Sequence, residues 1–175
     1  QAVCDYSVYS FNDRAQAFLE TLGVKWTTVP LELKEGEIRG KACENSELIV
    51  YGYYPMMISA QCIKKTCGTC SHTPGFVELK DRYGQNFRVQ TCCDFCYNVI
   101  YNSVPTGLLQ EASAIHALDI KALRMNFTWE SAERTRELLE LFTAAYKAGG
   151  EKIEKKIPAH SDGMFTKGHW KRGVE

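Results

Sequence analysis

Apolar positions along the chain follow two different spacings, and their order predicts alternating strands and helices. Between residues 12 and 22, apolar side chains recur every three or four residues, which is typical of a helix with one buried face, and Asn12 is a suitable N-cap. A similar pattern predicts a long helix that is capped by Thr128 and stops at Gly149. Shorter helices are predicted in the segment KEGEIRGKACENS and over residues 107–116.

Strands are predicted where β-branched and aromatic residues form apolar runs. These runs are residues 3–11, WTTVPLEL, the long segment ELIVYGYYPMMIS, and ALRMNF. A strand followed by a helix thus occurs about four times, which predicts parallel strands joined by crossover helices. About four such units are half of an eightfold β/α barrel, whose usual length is about 250 residues. The predicted fold class is therefore α/β, with residues 1–150 forming half of a barrel.

Half a barrel has open sheet edges, which predicts a partner for the chain. We expect either a missing N-terminal half of the barrel or a homodimer of this chain. The sequence begins at Gln1 with a strand-like segment already under way, so we expect it to be a piece of a longer polypeptide. Residues 151–175 show no clear periodicity and are predicted to form an extended tail that leads towards a downstream region.

Composition and charge narrow the class of protein only slightly. A chain of 175 residues, of which 45% are hydrophobic, is long enough for a core of ordinary domain size. Twenty-one basic residues balance 21 acidic ones, so nothing global indicates nucleic acid or an anionic membrane, although residues 151–175 are locally basic. No apolar run approaches the roughly 18 residues of a membrane-spanning helix, and no signal peptide is visible. These features predict a cytoplasmic protein with no membrane partner.

Six of the eight cysteines lie in two short clusters, QCIKKTCGTCSH and TCCDFCYNVIYNS. Between them, the segment GFVELKDRYGQNFRV has two alternating runs around a polar turn, which predicts a β-hairpin. A soft cation needs several thiolates from short segments that lie close together. The clusters and the hairpin therefore predict a metal-binding insertion at residues 60–97.

More than one kind of site fits this spacing. The pairs Cys67–Cys70 and Cys93–Cys96, with 22 residues between them, resemble a zinc ribbon, whose usual separation is about 15 to 20 residues. Cys62, Cys67 and Cys70 match the plant-type ferredoxin spacing, so an iron–sulfur cluster also fits. The missing export signal disfavours a disulfide framework. The sequence SHTPG disfavours a dithiol redox pair, because it argues against a helix after the second thiol.

The order of motifs along nearly the whole chain resembles that of a known family. The segments ELIVYGYYPMMISAQC, LKDRYGQNFRV, CDFCYNVIYNSVP, ALRMNFTWES and MFTKGHWKRGVE follow one another in this order. Together they resemble the C-terminal half of the collagenase-like peptidases of unknown catalytic type, peptidase family U-thirty-two. The opening DYSVYSFNDRAQAFLETLG resembles the barrel strand and helix that precede the cysteine region in that family.

The resemblance implies a β/α barrel that carries an iron–sulfur cluster at the C-terminal ends of its strands. The implied metal ligands are Cys62, Cys70, Cys93 and Cys96. Cys67 and Cys92 are then additional thiols, and zinc is the alternative metal, above all in an isolated fragment. This chain has Tyr53 after the dipeptide YG, where many family members have a basic residue.

The resemblance implies an enzyme that hydroxylates RNA or a small anionic molecule without oxygen, with RNA as a partner. A metal-dependent protease, as the family name says, and a zinc-stabilised structural or binding module are the alternatives. No Ser-His-Asp arrangement or HExxH motif indicates catalytic residues. Candidate substrate contacts are Arg124 and Asn126, near the end of a predicted strand, and His169 in FTKGHWKRG. The fragment alone is expected to be inactive.

Overall fold

A computed structural model describes residues 2–147 and 165–173 of the chain. The chain divides into two compact units, one comprising Gln1–Gly52 and Thr106–Glu175 and the other comprising Tyr53–Pro105. The first unit contains a mostly parallel sheet with helices, and the second contains an antiparallel sheet. Within residues 2–147 and 165–173 both sheets are open, so the fold described is mixed α/β without a closed barrel. The predicted insertion at residues 60–97 lies within the second unit.

The first unit is built on four parallel strands that neighbour one another in chain order. Numbered along the whole chain, these strands are β1 (Ala2–Cys4), β2 (Val24–Thr28), β3 (Ser46–Gly52) and β9 (Ala122–Asn126). β1 pairs with β2, β2 with β3, and β3 with β9, in each case parallel. The short strand β8 (Thr106–Gly107) pairs antiparallel with the end of β3. The predicted strand over residues 3–11 is shorter than expected, because a 3-10 turn at Tyr6–Val8 follows β1.

Helices lie between and after the strands of the first unit. They are α1 (Asp13–Thr21), α2 (Glu35–Arg39), α4 (Ala112–His116) and α5 (Ala132–Lys147). The predicted cap of α1 is confirmed, since the Asn12 side chain accepts a hydrogen bond of 2.9 Å from the Ala15 N–H. The predicted cap of α5 is wrong: Ser131, not Thr128, accepts a hydrogen bond of 3.2 Å from the Arg134 N–H. No helix in the described part of the chain is long and apolar enough to cross a membrane.

Aromatic rings hold α5 against the first sheet. The ring of Phe142 lies edge-on to those of Tyr51 and Phe165, with centroid distances of 5.7 and 6.2 Å. Leu138 and Ala145 are fully buried on the same face of α5. The apolar spacing that predicted this helix therefore also identified its buried face.

Residues 165–173 belong to the first unit rather than to an extended tail. Trp170 is buried in the core, and the Gly107 N–H donates a hydrogen bond of 2.9 Å to the Thr166 carbonyl. The prediction of an extended tail is therefore wrong for residues 165–173. The remainder of that prediction, like the predicted stop at Gly149, falls on residues outside the described ranges.

The second unit is a four-stranded antiparallel sheet in the order β4-β7-β6-β5. Its strands are β4 (Pro55–Ser59), β5 (Gly75–Lys80), β6 (Asn86–Cys92) and β7 (Tyr97–Tyr101). The predicted hairpin is confirmed as the pair β5 and β6. Asp81 organises its turn, because its side chain accepts hydrogen bonds of 2.8 Å from the N–H groups of Tyr83 and Gln85.

The segment ELIVYGYYPMMIS forms two strands in different sheets, not one long strand as predicted. β3 ends at Gly52, where an added Cβ would lie 2.9 Å from the Cβ and the carbonyl oxygen of Asn126. Only glycine allows this close approach of β3 and β9. β4 then starts at Pro55 in the second unit. The apolar pattern alone did not separate the strands, although glycine and proline marked the break.

Candidate metal site

The two cysteine clusters lie at the same end of the antiparallel sheet. The first occupies residues 60–74, here called the crossing segment, which leads from the end of β4 to the start of β5. The second occupies residues 93–96, here called the cysteine turn, which joins β6 to β7. Because β4 and β5 are the edge strands and β7 and β6 lie between them, the crossing segment passes the end of the sheet from which the cysteine turn projects. Strand order therefore brings the clusters together.

The crossing segment folds around a short helix, α3 (Ile63–Thr66). Cys62 is its N-cap residue and Cys67 is its C-cap residue. Cys62 is only 7% exposed, Cys70 is half-buried, and Cys67 is exposed. A thiolate gains no support from the helix dipole at the C-terminal end of a helix, so the position of Cys67 does not support a dithiol redox pair.

The cysteine turn places Cys93 and Cys96 at its two ends. It closes between Cys92 and Tyr97, which pair directly across β6 and β7. The Phe95 N–H donates a hydrogen bond of 3.3 Å to the Cys92 carbonyl, and Cys96 has a φ of 54°. This left-handed conformation completes the tight turn, and it costs conformational free energy for a residue other than glycine. The Cys96 thiol donates to the Cys93 carbonyl at 3.7 Å, so both cysteines belong to one local structure.

A hydrogen bond joins the crossing segment to β7, the strand that follows the cysteine turn. The Nδ2 atom of Asn98 donates to the Gln61 carbonyl oxygen across 2.8 Å. Gln61 precedes Cys62 in the crossing segment, and Asn98 follows Cys96 by two residues. This bond therefore holds the start of the crossing segment against the start of β7, the strand that follows the cysteine turn.

The residues at this end of the sheet fit a thiolate-bound metal or cluster. All eight cysteines of the chain are free thiols. Within residues 2–147 and 165–173, no three Cys, His, Asp or Glu side chains already converge as ligands of one metal ion. The donor set is nevertheless rich in thiols, which select soft metals and iron–sulfur clusters. The Oδ1 atom of Asn98 is also buried and has no hydrogen-bond partner in the described part of the chain.

Cys92 lies beside tyrosine side chains on one face of the antiparallel sheet. Side chains alternate along β6, so Cys92 and Gln90 lie on the opposite face from Thr91. A hydrogen bond with Cys92 raises the pKa of Tyr97, and burial together with the Cys92 charge raises the pKa of Tyr101. The Tyr101 hydroxyl also donates to Gln90 at 2.9 Å. This environment supports the interpretation of Cys92 as an additional thiol rather than a ligand.

The predicted substrate contacts Arg124 and Asn126 belong to an ion-pair network in the first unit. Arg124 donates hydrogen bonds of 2.6 Å to Glu47 and to Asp5, and one of 2.9 Å to Asn126 Oδ1. Glu47 also accepts a hydrogen bond of 2.8 Å from Thr28. The guanidinium charge is thus matched by two carboxylates. Sequence analysis missed Asp5 and Glu47, because single acidic residues on separate strands carry no local signal.

His169 lies in the docked segment 165–173, and its Nδ1 is 2.8 Å from the Gly173 carbonyl oxygen. Its basic neighbours contact Glu111, which is only 7% exposed. Lys167 and Lys171 approach the Glu111 carboxylate at 2.6 and 3.0 Å. Burial raises the pKa of Glu111, but hydrogen bonds from the two lysines outweigh it and hold the pKa below its usual value. These lysines therefore dock the segment on the first unit, a role that the sequence pattern did not indicate.

Comparisons of the chain with protein-family models, with curated proteins and with solved structures found no match. The class of protein is therefore defined by its fold and candidate site. It has an open α/β unit and, between β3 and β8 of that unit, an antiparallel unit that carries two thiol clusters.

Proposed function

We propose that Cys62, Cys70, Cys93 and Cys96 bind an iron–sulfur cluster, and that the chain is part of an enzyme similar to the collagenase-like peptidases. One observation carries this proposal: the crossing segment passes the same end of the sheet as the cysteine turn. The pairs Cys62–Cys70 and Cys93–Cys96, 22 residues apart, thereby come to one end of one sheet. Thiolates from two short segments are the usual ligands of such a cluster.

Burial supports the choice of ligands in the crossing segment, and chain geometry supports it in the second cluster. Solvent exposure affects the behaviour of an iron–sulfur cluster, so shielded thiols suit it better than exposed ones. In the crossing segment, Cys62 is buried and Cys70 is half-buried, whereas Cys67 is exposed. In the second cluster, Cys93 is half-buried and Cys96 is exposed, so the choice of this pair rests on the one turn that they share.

We also propose that the first unit is half of a β/α barrel. The strands β1, β2, β3 and β9 are parallel and neighbour one another in chain order, as consecutive strands of a β/α barrel do. β1 and β9 each have one side without a neighbouring strand among the described residues. A missing N-terminal half, or a second copy of the chain, is expected to pair there.

The activity that we propose is oxygen-independent hydroxylation of RNA or of a small anionic molecule, carried out only by the complete barrel. A bound cluster supplies electron transfer, which suits this chemistry better than peptide hydrolysis. Arg124 already pairs with Asp5 and Glu47, so we expect the substrate anion to rely on groups other than Arg124. His169 remains a candidate contact.

The experiment is anaerobic purification of the full chain, followed by visible absorption spectroscopy and by measurement of iron and sulfide per chain. We expect a coloured protein that loses both iron and colour in each of four variants: Cys62→Ser, Cys70→Ser, Cys93→Ser and Cys96→Ser. Cys4→Ser, which changes a half-buried thiol in the first unit, is the matched control and should retain both. A colourless protein with one zinc and no iron, purified without air, would instead support a zinc-stabilised module.

A further inference from the structure

Two buried polar residues, Thr91 and Asn98, face each other at the thiol end of the antiparallel sheet. They are directly paired across β6 and β7 and are 1% and 0% exposed. Neither residue can be a thiolate ligand, and neither was singled out by the cysteine spacing. They lie on the buried face of the sheet, where an apolar residue such as the neighbouring Val89 is expected.

One of the two side chains bonds to the crossing segment near its start, and the other bonds to the residue directly after its end. Asn98 Nδ2 donates to the carbonyl oxygen of Gln61, near the start of that segment, across 2.8 Å. Thr91 Oγ1 donates to the carbonyl oxygen of Gly75, directly after that segment, across 3.0 Å. The Cys93 thiol contacts the same Thr91 hydroxyl at 4.0 Å. The pair therefore contacts the crossing segment near its start, the first residue of β5 directly after its end, and Cys93 in the cysteine turn.

The bonded atoms explain why polar residues occupy these positions. Burying a hydroxyl or amide group is less favourable in free energy than burying an apolar group of the same size. The polar group loses its hydration, so it needs a hydrogen-bond partner to offset that loss. Here the partners are the main-chain carbonyls of Gln61, in the loop that carries the first thiol cluster, and of Gly75, the first residue of β5 directly after that loop. Hydrogen bonds of fixed length and direction hold that loop in one position over the cysteine turn, which apolar contacts alone do not specify.

We infer that Thr91 and Asn98 are positioning residues, which hold the crossing segment so that its thiols and those of the cysteine turn can bind one metal centre. This inference rests on the proposed function, because it assigns a role to residues around the same site. Residues that orient the ligands of a metal typically change its affinity about 10- to 100-fold when they are mutated.

The test uses the full, reduced chain and Co²⁺ alone as a probe, titrated without air and followed by the thiolate-to-cobalt absorption. Thr91→Val and Asn98→Leu remove the hydrogen-bonding groups at nearly constant volume. We expect each to weaken Co²⁺ binding about tenfold or more. Thr91→Ser keeps the hydroxyl and should bind Co²⁺ within about threefold of the unmodified chain.

Val89→Ala is the control variant, because it should lower the stability of the fold without changing the position of the crossing segment. Val89 is 0% exposed on the same strand but makes no hydrogen bond to the crossing segment through its side chain. Thermal unfolding of every variant identifies any that fails to fold, and Val89→Ala should unfold at a lower temperature yet keep its Co²⁺ affinity. Equal weakening by Val89→Ala and Asn98→Leu, or normal binding by both Thr91→Val and Asn98→Leu, would overturn the inference.

The same titration separates failure of this inference from failure of the proposed function. If the unmodified chain gives no thiolate-to-cobalt absorption, the metal site itself is absent and both proposals fall. If it binds Co²⁺ and Cys62→Ser abolishes binding while Thr91→Val and Asn98→Leu do not weaken it, only the positioning role is overturned.

Discussion

Arg124 on β9 donates a hydrogen bond of 2.6 Å to Glu47 on β3, and this ion pair joins two neighbouring parallel strands. The side chains of Arg124 and Glu47 are 28% and 14% exposed, so salt screens the pair less than it screens a surface pair. Asp5 accepts a second hydrogen bond of 2.6 Å from the same guanidinium. The network therefore links the residue after β1 to β9 and, through the same guanidinium, to β3.

Replacing Arg124 with methionine should lower the free energy of unfolding by about 1 to 3 kcal/mol, because Glu47 would remain partly buried without its partner. Urea denaturation measures this change. The matched control is Arg134→Met, which removes a more exposed pair with Glu137 and should cost less than about 0.5 kcal/mol. An equal loss in the two variants would contradict a structural role for the Arg124 network.

Glu111 should make the stability of the first unit depend on pH. Its folded pKa is lower than the ordinary value of 4.5, since the lysine hydrogen bonds outweigh the effect of burial. A carboxyl group with a lowered pKa stabilises the fold above its unfolded pKa, and this stabilisation is lost as the pH falls through the folded pKa.

Glu111→Gln removes that titration, so its stability should fall less steeply than that of the unmodified chain below pH 4.5. At neutral pH the variant should be less stable, because its uncharged amide no longer forms ion pairs with Lys167 and Lys171. Urea denaturation across this pH range provides the comparison. Parallel stability curves for the two proteins would show that Glu111 is not the group responsible.

Gly107→Ala should displace residues 165–173. A Cβ at this position would lie 2.6 Å from ring atoms of Phe165, and we expect a destabilisation of about 1 to 3 kcal/mol. Adding Phe165→Ala removes the ring contacts at 2.6 Å but keeps the contact at 2.9 Å with the Phe165 Cβ, so Gly107→Ala should cost less in that background, as a double-mutant cycle would measure. Gly36→Ala is the control, since nothing lies within 4 Å of its added Cβ. Additive effects of Gly107→Ala and Phe165→Ala would argue against the contact.

Cys62→Ser should abolish iron binding, whereas Cys67→Ser should leave most of it. Cys62 is 7% exposed at the start of α3, and Cys67 is exposed at its end. Iron per chain after anaerobic purification distinguishes the two variants. Loss of iron in Cys67→Ser together with its retention in Cys62→Ser would reverse the ligand assignment.

Local signals were sufficient for several parts of this molecule. Asn12 before an apolar helical repeat predicted the capped start of α1, because capping depends on residues only three positions apart. The alternating runs around Gly84 predicted the hairpin β5–β6 for a similar reason. The cysteine clusters were also visible in the spacing alone.

Other features required the tertiary structure. The sequence did not show that Trp170 returns to the core, or that Arg124 lies between two carboxylates. Each depends on a contact between segments many residues apart, and short-range spacing carries no information on which distant segments meet.

The sequence by itself determined the local elements and the inventory of thiols. Only the tertiary structure decided that β4 and β5 lie at opposite edges of one sheet, so that the crossing segment reaches the cysteine turn. It also decided that Asn98 bonds to Gln61. The physical reason is that hydrogen-bonding and apolar periodicities specify each strand, whereas strand order depends on packing and on main-chain pairing over the whole unit.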